Sequence, residues 1–287
     1  MLRRDALLLL AASCGARARA AASLARFLEP AQGAAVLVDI QGRSLAGVSN
    51  DRVAAAQLVP PGSTLKPFVL SALLGSRQLS LDDSFPCPGA LTIGGRSFAC
   101  SHPPVAAAMR VATALAYSCN CFVAHFAHRF EPGELARHLE HAGLASLTGL
   151  MGPAEAAGRI QSAAGPDANQ LQALGEERVL VTVAGLAMAY RGLAVAAGHP
   201  ETDAVIGGLE GAVEFGTARL ARVAGLQVAG KTGSVFAADG PVAWFAGFAP
   251  SRAPEVALAV MLHGRSGGAD AAPVAGRIFE AWRARQL

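Results

Sequence analysis

Lysine is almost missing from this chain. Of 24 basic residues in 287, only Lys66 and Lys231 are lysine, and the rest are arginine. A GC-rich coding sequence accounts for a general drift toward arginine, but not for the two positions that escape it. Asparagine is nearly as scarce, with Asn50, Asn120 and Asn169 alone. Charge is sparse too, at 16% against 52% hydrophobic residues, a balance that excludes disorder and leaves ample material for a core. A long, clean apolar run is also lacking. Ala6–Ala12 is too short to span a bilayer, and Thr182–Gly198 is broken by Gly185, Arg191 and Gly192, so it reads as a core helix. No internal repeat or low-complexity linker is present.

The basic surplus sits at the N-terminus. In "MLRRDALLLLAASCGARARA", Arg3 and Arg4 precede the short apolar run, the pattern of an export signal over residues 1–22. "AASC" resembles a lipoprotein cleavage box, so Cys14 could carry a lipid and tether the protein to a membrane. The paired arginines also fit a twin-arginine signal. Residues 1–22 hold four arginines and one aspartate, so removing them takes the formal charge of +3 to zero. No basic face then remains for nucleic acid. The expected location is the periplasm or the outer face of the cell membrane.

There are five cysteines. Cys14 belongs to the leader. Cys87 and Cys100 bracket "PGALTIGGRSFA", where Gly94 and Gly95 would turn a hairpin and bring the two thiols together. Export would let them oxidise. Cys119 and Cys121 remain as free thiols.

Two short strands are expected at Ala34–Ile40 and Arg43–Val48, joined by a tight turn. "STLKPFVLSALLG" reads as a helix with Ser63 at its N-cap and Gly75 at its C-cap. Pro67 falls in the first turn, where its missing N–H does no harm. Residues 76–104 are loop-rich, and a helical pattern runs from Val105 to about His141. Residues 143–178 read as a variable loop region, and helices are expected at Val179–Ala197 and Gly208–Val223. Strands follow at Leu226–Ser234, Val242–Pro250 and Glu255–Gly264, with a closing helix from Ala271 to Arg285. Strands at both chain ends around a helical block predict an α+β fold. One antiparallel five-stranded sheet would lie between helical layers, α/β/α, with an all-helical lobe to one side. The expected domain covers 33–283, with a sheet lobe of about 33–62 and 224–283 and a helical lobe of about 76–223.

The chemistry lies where the two lysines stand. Ser63 and Lys66 are three residues apart, a spacing that puts hydroxyl and amine on one helix face. Serine is a poor nucleophile until a base takes its proton. Lysine can be that base only if its pKa falls well below about 10.4. Burial beside Leu65 and Phe68, and the positive end of the helix, both push it down. Arginine cannot do this, because its guanidinium keeps its proton. Alone, SxxK is more often an N-cap serine with a surface lysine. Here "YSCN" follows with Ser118 and Asn120, and then "GKTGS" with Lys231, Thr232, Gly233 and Ser234. Both lysines and one of three asparagines thus complete the set SxxK, S-x-N and K-T-G.

From Gly33 to Trp282 the chain resembles the transpeptidase domain of penicillin-binding proteins. "PPGSTLKPF", "YSCNCF" and "EFGTARLARVAGLQVAGKTGS" carry the likeness, and "CPGALTIGG" and "WFAGFAPSRAPEVALAV" support it. The resemblance implies the β-lactamase/D,D-transpeptidase fold, a D,D-transpeptidase acting on peptidoglycan stem peptides, and β-lactams as covalent inhibitors. It implies Ser63 as nucleophile, Lys66 as base, Ser118 as proton relay and Lys231 as a source of positive potential. It places Asn120, Thr232, Gly233 and Ser234 in substrate binding, with the backbone N–H groups of Ser63 and Ser234 as an oxyanion hole. It also implies a disulfide between Cys87 and Cys100. No metal and no organic cofactor is implied. A D,D-carboxypeptidase shares every one of these motifs. A class D-like β-lactamase and a non-catalytic β-lactam or cell-wall sensor stand further off.

Two other constellations compete. "GRSGG" (Gly264–Gly268) fits a nucleophile elbow, but no histidine follows His263, so it reads as a glycine-rich turn. Cys119, Cys121, His125 and His128 have metal-like spacing. Three ligands on one straight helix do not wrap a tetrahedral ion, so they read as structural.

Overall fold

A computed structural model of the chain describes residues 24–104 and 107–287. The proposed leader, with Cys14, lies outside the described residues. The frame is one antiparallel sheet of five strands. β1 (Gly33–Asp39) and β2 (Leu45–Ser49) come from the beginning of the chain. β7 (Ala229–Ala237), β8 (Gly240–Ala249) and β9 (Val256–His263) come from its end, and the order is β2-β1-β9-β8-β7. Both chain ends therefore build one sheet, as the strand pattern predicts. Residue Val36 pairs with Ala259, and Phe245 with Val260.

Strand β9, VALAVMLH, is buried along its whole length except at His263. A continuous apolar run is what a central strand covered on both faces requires. Side chains alternate between two cores. Val36, Val38, Trp244, Ala246, Ala259 and Met261 face one core; Ala35, Leu37, Ala243, Phe245, Leu258 and Val260 face the other. On the second face the closing helix α9 (Ala272–Arg283) packs Ile278 and Phe279, and the Phe279 ring meets Phe245 edge-on at 6.2 Å. Truncating a ring so buried to alanine typically costs about 3–5 kcal/mol.

The first face carries the helices that hold the site. The short helix α1 (Asp51–Ala56) leads to a 3₁₀ turn at Gly62–Leu65 and then to α2 (Lys66–Gly75), with Lys66 and seven apolar residues buried. A helix apolar on all sides belongs inside a protein. After it comes the hairpin of β3 (Ala90–Ile93) and β4 (Arg96–Ala99), turned by Gly94 and Gly95 at positive φ. The hairpin is anchored by Asp167, which accepts from the Gly94 N–H, and by ion pairs of Arg96 with Glu176 and Glu177. Helices α3 (Val111–Ala116), α4 (Asn120–Ala127) and α5 (Glu134–His141) follow.

Three segments differ from the sequence expectation. The loop region 143–178 contains helix α6 (Pro166–Ala173), between the short strands β5 (Arg159–Ile160) and β6 (Val179–Leu180). The helix predicted from Val179 begins at Val183, because Val179–Leu180 pairs with Arg159–Ile160; this is α7 (Val183–Val195), capped by Thr182. The helix predicted at Gly208–Val223 is α8 (Pro200–Glu214). Pro200 opens it, with Glu201 and Asp203 in its first turn, both favourable at a positive helix end. Among the described residues, no helix is long and apolar enough to cross a membrane.

Candidate active site

The structure brings the three motifs to one cleft of about 790 Å³. Ser63, Ser118, Asn120, Thr232, Gly233 and Ser234 all line it. Lys66 and Lys231 lie beneath, both fully buried.

Ser63 stands in the 3₁₀ turn that feeds α2. The expected N-cap role is not met, because no side-chain cap bond forms at this end. Thr64 Oγ1 instead donates to the Pro61 carbonyl at 2.7 Å. Within Pro61–Leu70, Ser63 alone is not buried, so its hydroxyl faces the cleft while its neighbours pack inward. Gly62 holds a left-handed φ of 53°, and a Cβ there would collide with Val235. The Tyr190 hydroxyl of α7 donates to the Thr64 carbonyl at 2.8 Å, and Trp244 Nε1 to the Pro60 carbonyl at 3.0 Å. The sheet and α7 thus clamp the serine turn from both sides.

Lys66 reaches the second motif. Its Nζ donates to the Ser118 carbonyl at 2.8 Å and to Asn120 Oδ1 at 2.5 Å, and lies 3.3 Å from Ser118 Oγ. Burial pulls its pKa from 10.5 down to about 8, with the thiols of Cys119, Cys100 and Cys121 and the carboxylate of Glu176 opposing. Ser118 itself has φ of 56°, an uncommon value for a residue with a side chain. Such strain collects at functional sites and costs of order 1–3 kcal/mol. Asn120 Nδ2 donates to the Ala99 carbonyl at the end of β4, at 2.9 Å, so the side chain is held from both ends.

The third motif lies on β7. Lys231 Nζ donates to the Thr232 carbonyl at 3.0 Å, and burial followed by the charge of Lys66 pushes its pKa well below the ordinary range. Thr232 Oγ1 donates to Thr217 Oγ1 at 2.9 Å, and Ser234 Oγ accepts from the Gly267 N–H at 3.0 Å. Gly233 is there for clearance: a Cβ would come 2.8 Å from the Pro61 carbonyl oxygen. Glycine lets β7 close on the serine turn.

Sequence reasoning missed Thr217 and Arg219, which line the cleft beside Phe215. Thr217 falls in the loop after α8 and Arg219 opens the 3₁₀ turn that follows, and the misplaced helix end hid them. Ser266 of "GRSGG" also reaches the cleft wall, but as a turn residue: its Oγ accepts from the Ala269 N–H and its N–H donates to Asp270. The set of Cys119, Cys121, His125 and His128 does not gather, since His125 stacks on Phe85 at 4.0 Å while both thiols turn toward Cys100. Cys87 and Cys100, expected as a disulfide, are close but unbonded, with sulfurs 3.6 Å apart.

The family model for the penicillin-binding protein transpeptidase domain matches residues 33–196 and 201–280. The chain belongs to this family. No curated protein matches it by sequence. Among solved structures it is similar to the D,D-transpeptidase domain of a peptidoglycan glycosyltransferase from Eggerthella lenta. There the TM-score is 0.78 and identity 20%, over 93% of this chain and 81% of that one. Against Pseudomonas aeruginosa PBP2, in complex with WCK 5153, the TM-score is 0.78 and identity 23%, over 91% and 76%. Against Helicobacter pylori PBP2, in its complex with MreC, the TM-score is 0.76 and identity 18%, over 90% and 62%. At these identities the likeness is one of fold, and it agrees with the penicillin-binding transpeptidase architecture of the sheet and helices.

Proposed function

We propose that this transpeptidase-domain protein is an exported serine acyltransferase that crosslinks peptidoglycan stem peptides ending in D-Ala-D-Ala. Ser63 Oγ attacks the penultimate D-Ala carbonyl while Lys66 takes the hydroxyl proton. Backbone N–H groups of Ser63 and Ser234 hold the oxyanion that forms. The C–N bond then breaks. Lys66, through the Ser118 hydroxyl, returns the proton to the departing D-Ala amine, and an acyl ester remains on Ser63. An amine from a neighbouring strand attacks that ester and gives a proton to Lys66; the C–O bond to Ser63 breaks, and Lys66 passes the proton to Ser63 Oγ, restoring the hydroxyl. Asn120 binds the substrate's peptide amide, Thr232 its terminal carboxylate, and Lys231 supplies positive potential.

The single observation that carries this reading is the setting of Lys66. A lysine at about 8 is neutral roughly one time in ten at pH 7, against roughly one in three thousand at its ordinary value. Only the neutral amine can accept the serine proton.

The test begins with labelled penicillin and peptide mass spectrometry. A stable adduct on Ser63 is expected; no adduct removes the acyltransfer reading, and rapid release with hydrolysed drug points to a β-lactamase. A D-Ala-D-Ala peptide supplied with an acceptor amine should then give the crosslinked product. Release of D-Ala with water as the only acceptor would make the protein a D,D-carboxypeptidase instead. Export is tested by fractionating cells that carry the full chain, where a cytoplasmic product would overturn it.

A further inference from the structure

The β3–β4 hairpin ends beside the turn that carries Ser118 and Asn120, and sulfur collects there. Cys100 Sγ lies 3.6 Å from Cys87 Sγ, 3.8 Å from Cys119 Sγ and 3.5 Å from Cys121 Sγ. His102 Nε2 is 3.6 Å from Cys87 Sγ. The ligand atoms of Cys87, Cys100, His102 and Cys119 all lie within 4.8 Å of one another. A disulfide needs sulfurs about 2.0 Å apart. A tetrahedral zinc ion, with Zn–S of about 2.3 Å and Zn–N of about 2.0 Å, sets S···S edges of about 3.8 Å and S···N edges of about 3.5 Å. The spacings of 3.6 Å from Cys87 Sγ to Cys100 Sγ and to His102 Nε2, and of 3.8 Å from Cys100 Sγ to Cys119 Sγ, match such edges and not a crosslink.

The groups that steady metal ligands are also in place. The Gly89 N–H donates to Cys87 Sγ at 3.3 Å, and the Phe122 N–H to Cys119 Sγ at 3.4 Å. Such donors fix the positions of the sulfurs. His102 Nδ1 lies 2.8 Å from the Pro103 carbonyl. A carbonyl only accepts, so Nδ1 carries the proton and Nε2 presents its lone pair to the thiols.

We propose that Cys87, Cys100, Cys119 and His102 form a closed Cys₃His site for one zinc ion beside the acyl-transfer cleft. Four protein ligands leave no open position, so the ion is structural. Its place says what it positions. Ala99, which holds Asn120 Nδ2, precedes Cys100, and Cys119 stands between Ser118 and Asn120. His102 lines the cleft itself. One ion therefore ties the end of β4 to the turn that holds Ser118 and Asn120. Cys121, near Cys100 but outside the set of four, is a neighbour and not a ligand.

Metal content is the primary readout, and it is independent of the acyltransfer proposal. The full chain, purified without chelator, should hold about one zinc per chain by mass spectrometry of the metal. Cobalt replacing it should show thiolate charge-transfer bands and tetrahedral visible bands. Cys119→Ser and His102→Ala should each lose the ion, and Cys121→Ser should keep it. If the ligand variants fail to fold, chelation of the wild-type chain should lower its melting temperature, and added zinc should restore it. Every cysteine thiol titratable with no bound metal, a Cys87–Cys100 disulfide in non-reduced peptides, or zinc retained in both ligand variants would each overturn the site. Stripping the metal should slow penicillin acylation by about 10–100-fold through misplacement of Asn120 and Ser118. Unchanged acylation after metal loss would overturn the positioning role.

Discussion

Lys66 and Lys231 are both fully buried, yet they are held in opposite ways. Lys66 is ringed by oxygen: two acceptors and the Ser118 hydroxyl stand within 3.3 Å of its Nζ. Lys231 has its bond to the carbonyl of the next residue, on a strand whose other polar groups serve Thr217 and Gly267. The first lysine is wired into the turn that carries Ser118 and Asn120. The second lies beneath the cleft, fully buried, and its proposed part is to supply positive potential there. Burial pushes both pKa values down, but only Lys66 sits one turn from the cleft-facing serine. The difference teaches that the two lysines are anchored differently: Lys66 is bonded into the turn of Ser118 and Asn120, whereas Lys231 is bonded to its own strand.

That contrast can be broken by substitution. Lys66→Arg keeps the charge but not the basicity, and should lower the rate of Ser63 acylation by penicillin by about 10²–10⁴-fold. Near-normal acylation would end the general-base account. Asn120→Ala removes one arm of the Lys66 cage and the tie to Ala99. It should cost about 10–100-fold in the same assay, and an unchanged rate would mean that the cage does not position the amine. Lys231→Arg should be milder, roughly tenfold, provided circular dichroism shows the fold intact. A loss equal to that of Lys66→Arg would erase the distinction. Thr217→Val leaves Thr232 Oγ1 without its partner, a change of about 1 kcal/mol. It should raise KM for a D-Ala-D-Ala peptide about fivefold while leaving kcat nearly unchanged. A fall in kcat alone would assign Thr217 a different part.

Much of the sheet and of the cleft was legible in the sequence because both rest on strong local signals. Strands β8 and β9 announce themselves as apolar runs, and β1 and β2 as a pair around a tight turn. The three motifs name the residues of the cleft, and scarcity of lysine and asparagine sharpens them. What was hidden lies in contacts between distant segments. Helix α8 begins eight residues before its predicted start, since its polar first turn and its glycines at 207, 208 and 211 blur the helical period. Thr217 became visible only when that helix end was placed. Ser63 looked like a cap by spacing, but it sits inside a 3₁₀ turn whose end carries no side-chain cap, and its hydroxyl is left facing the cleft. The cysteine cluster was the least legible part. The sequence joined Cys87 to Cys100 through the hairpin, and Cys119 to His125 and His128, whereas the fold sets the hairpin thiols and His102 beside Cys119.

The pH dependence of Ser63 acylation tests the central claim most directly. The folded-state pKa of Lys66 lies below its ordinary value, so the neutral, active form gains as pH rises through about 8. Measured with labelled penicillin over a range of roughly pH 6 to 10, the second-order rate should climb and reach a plateau with a midpoint near 8. A rate that is flat across that range, or that is still rising at its end with a midpoint near the ordinary lysine value, would contradict the account.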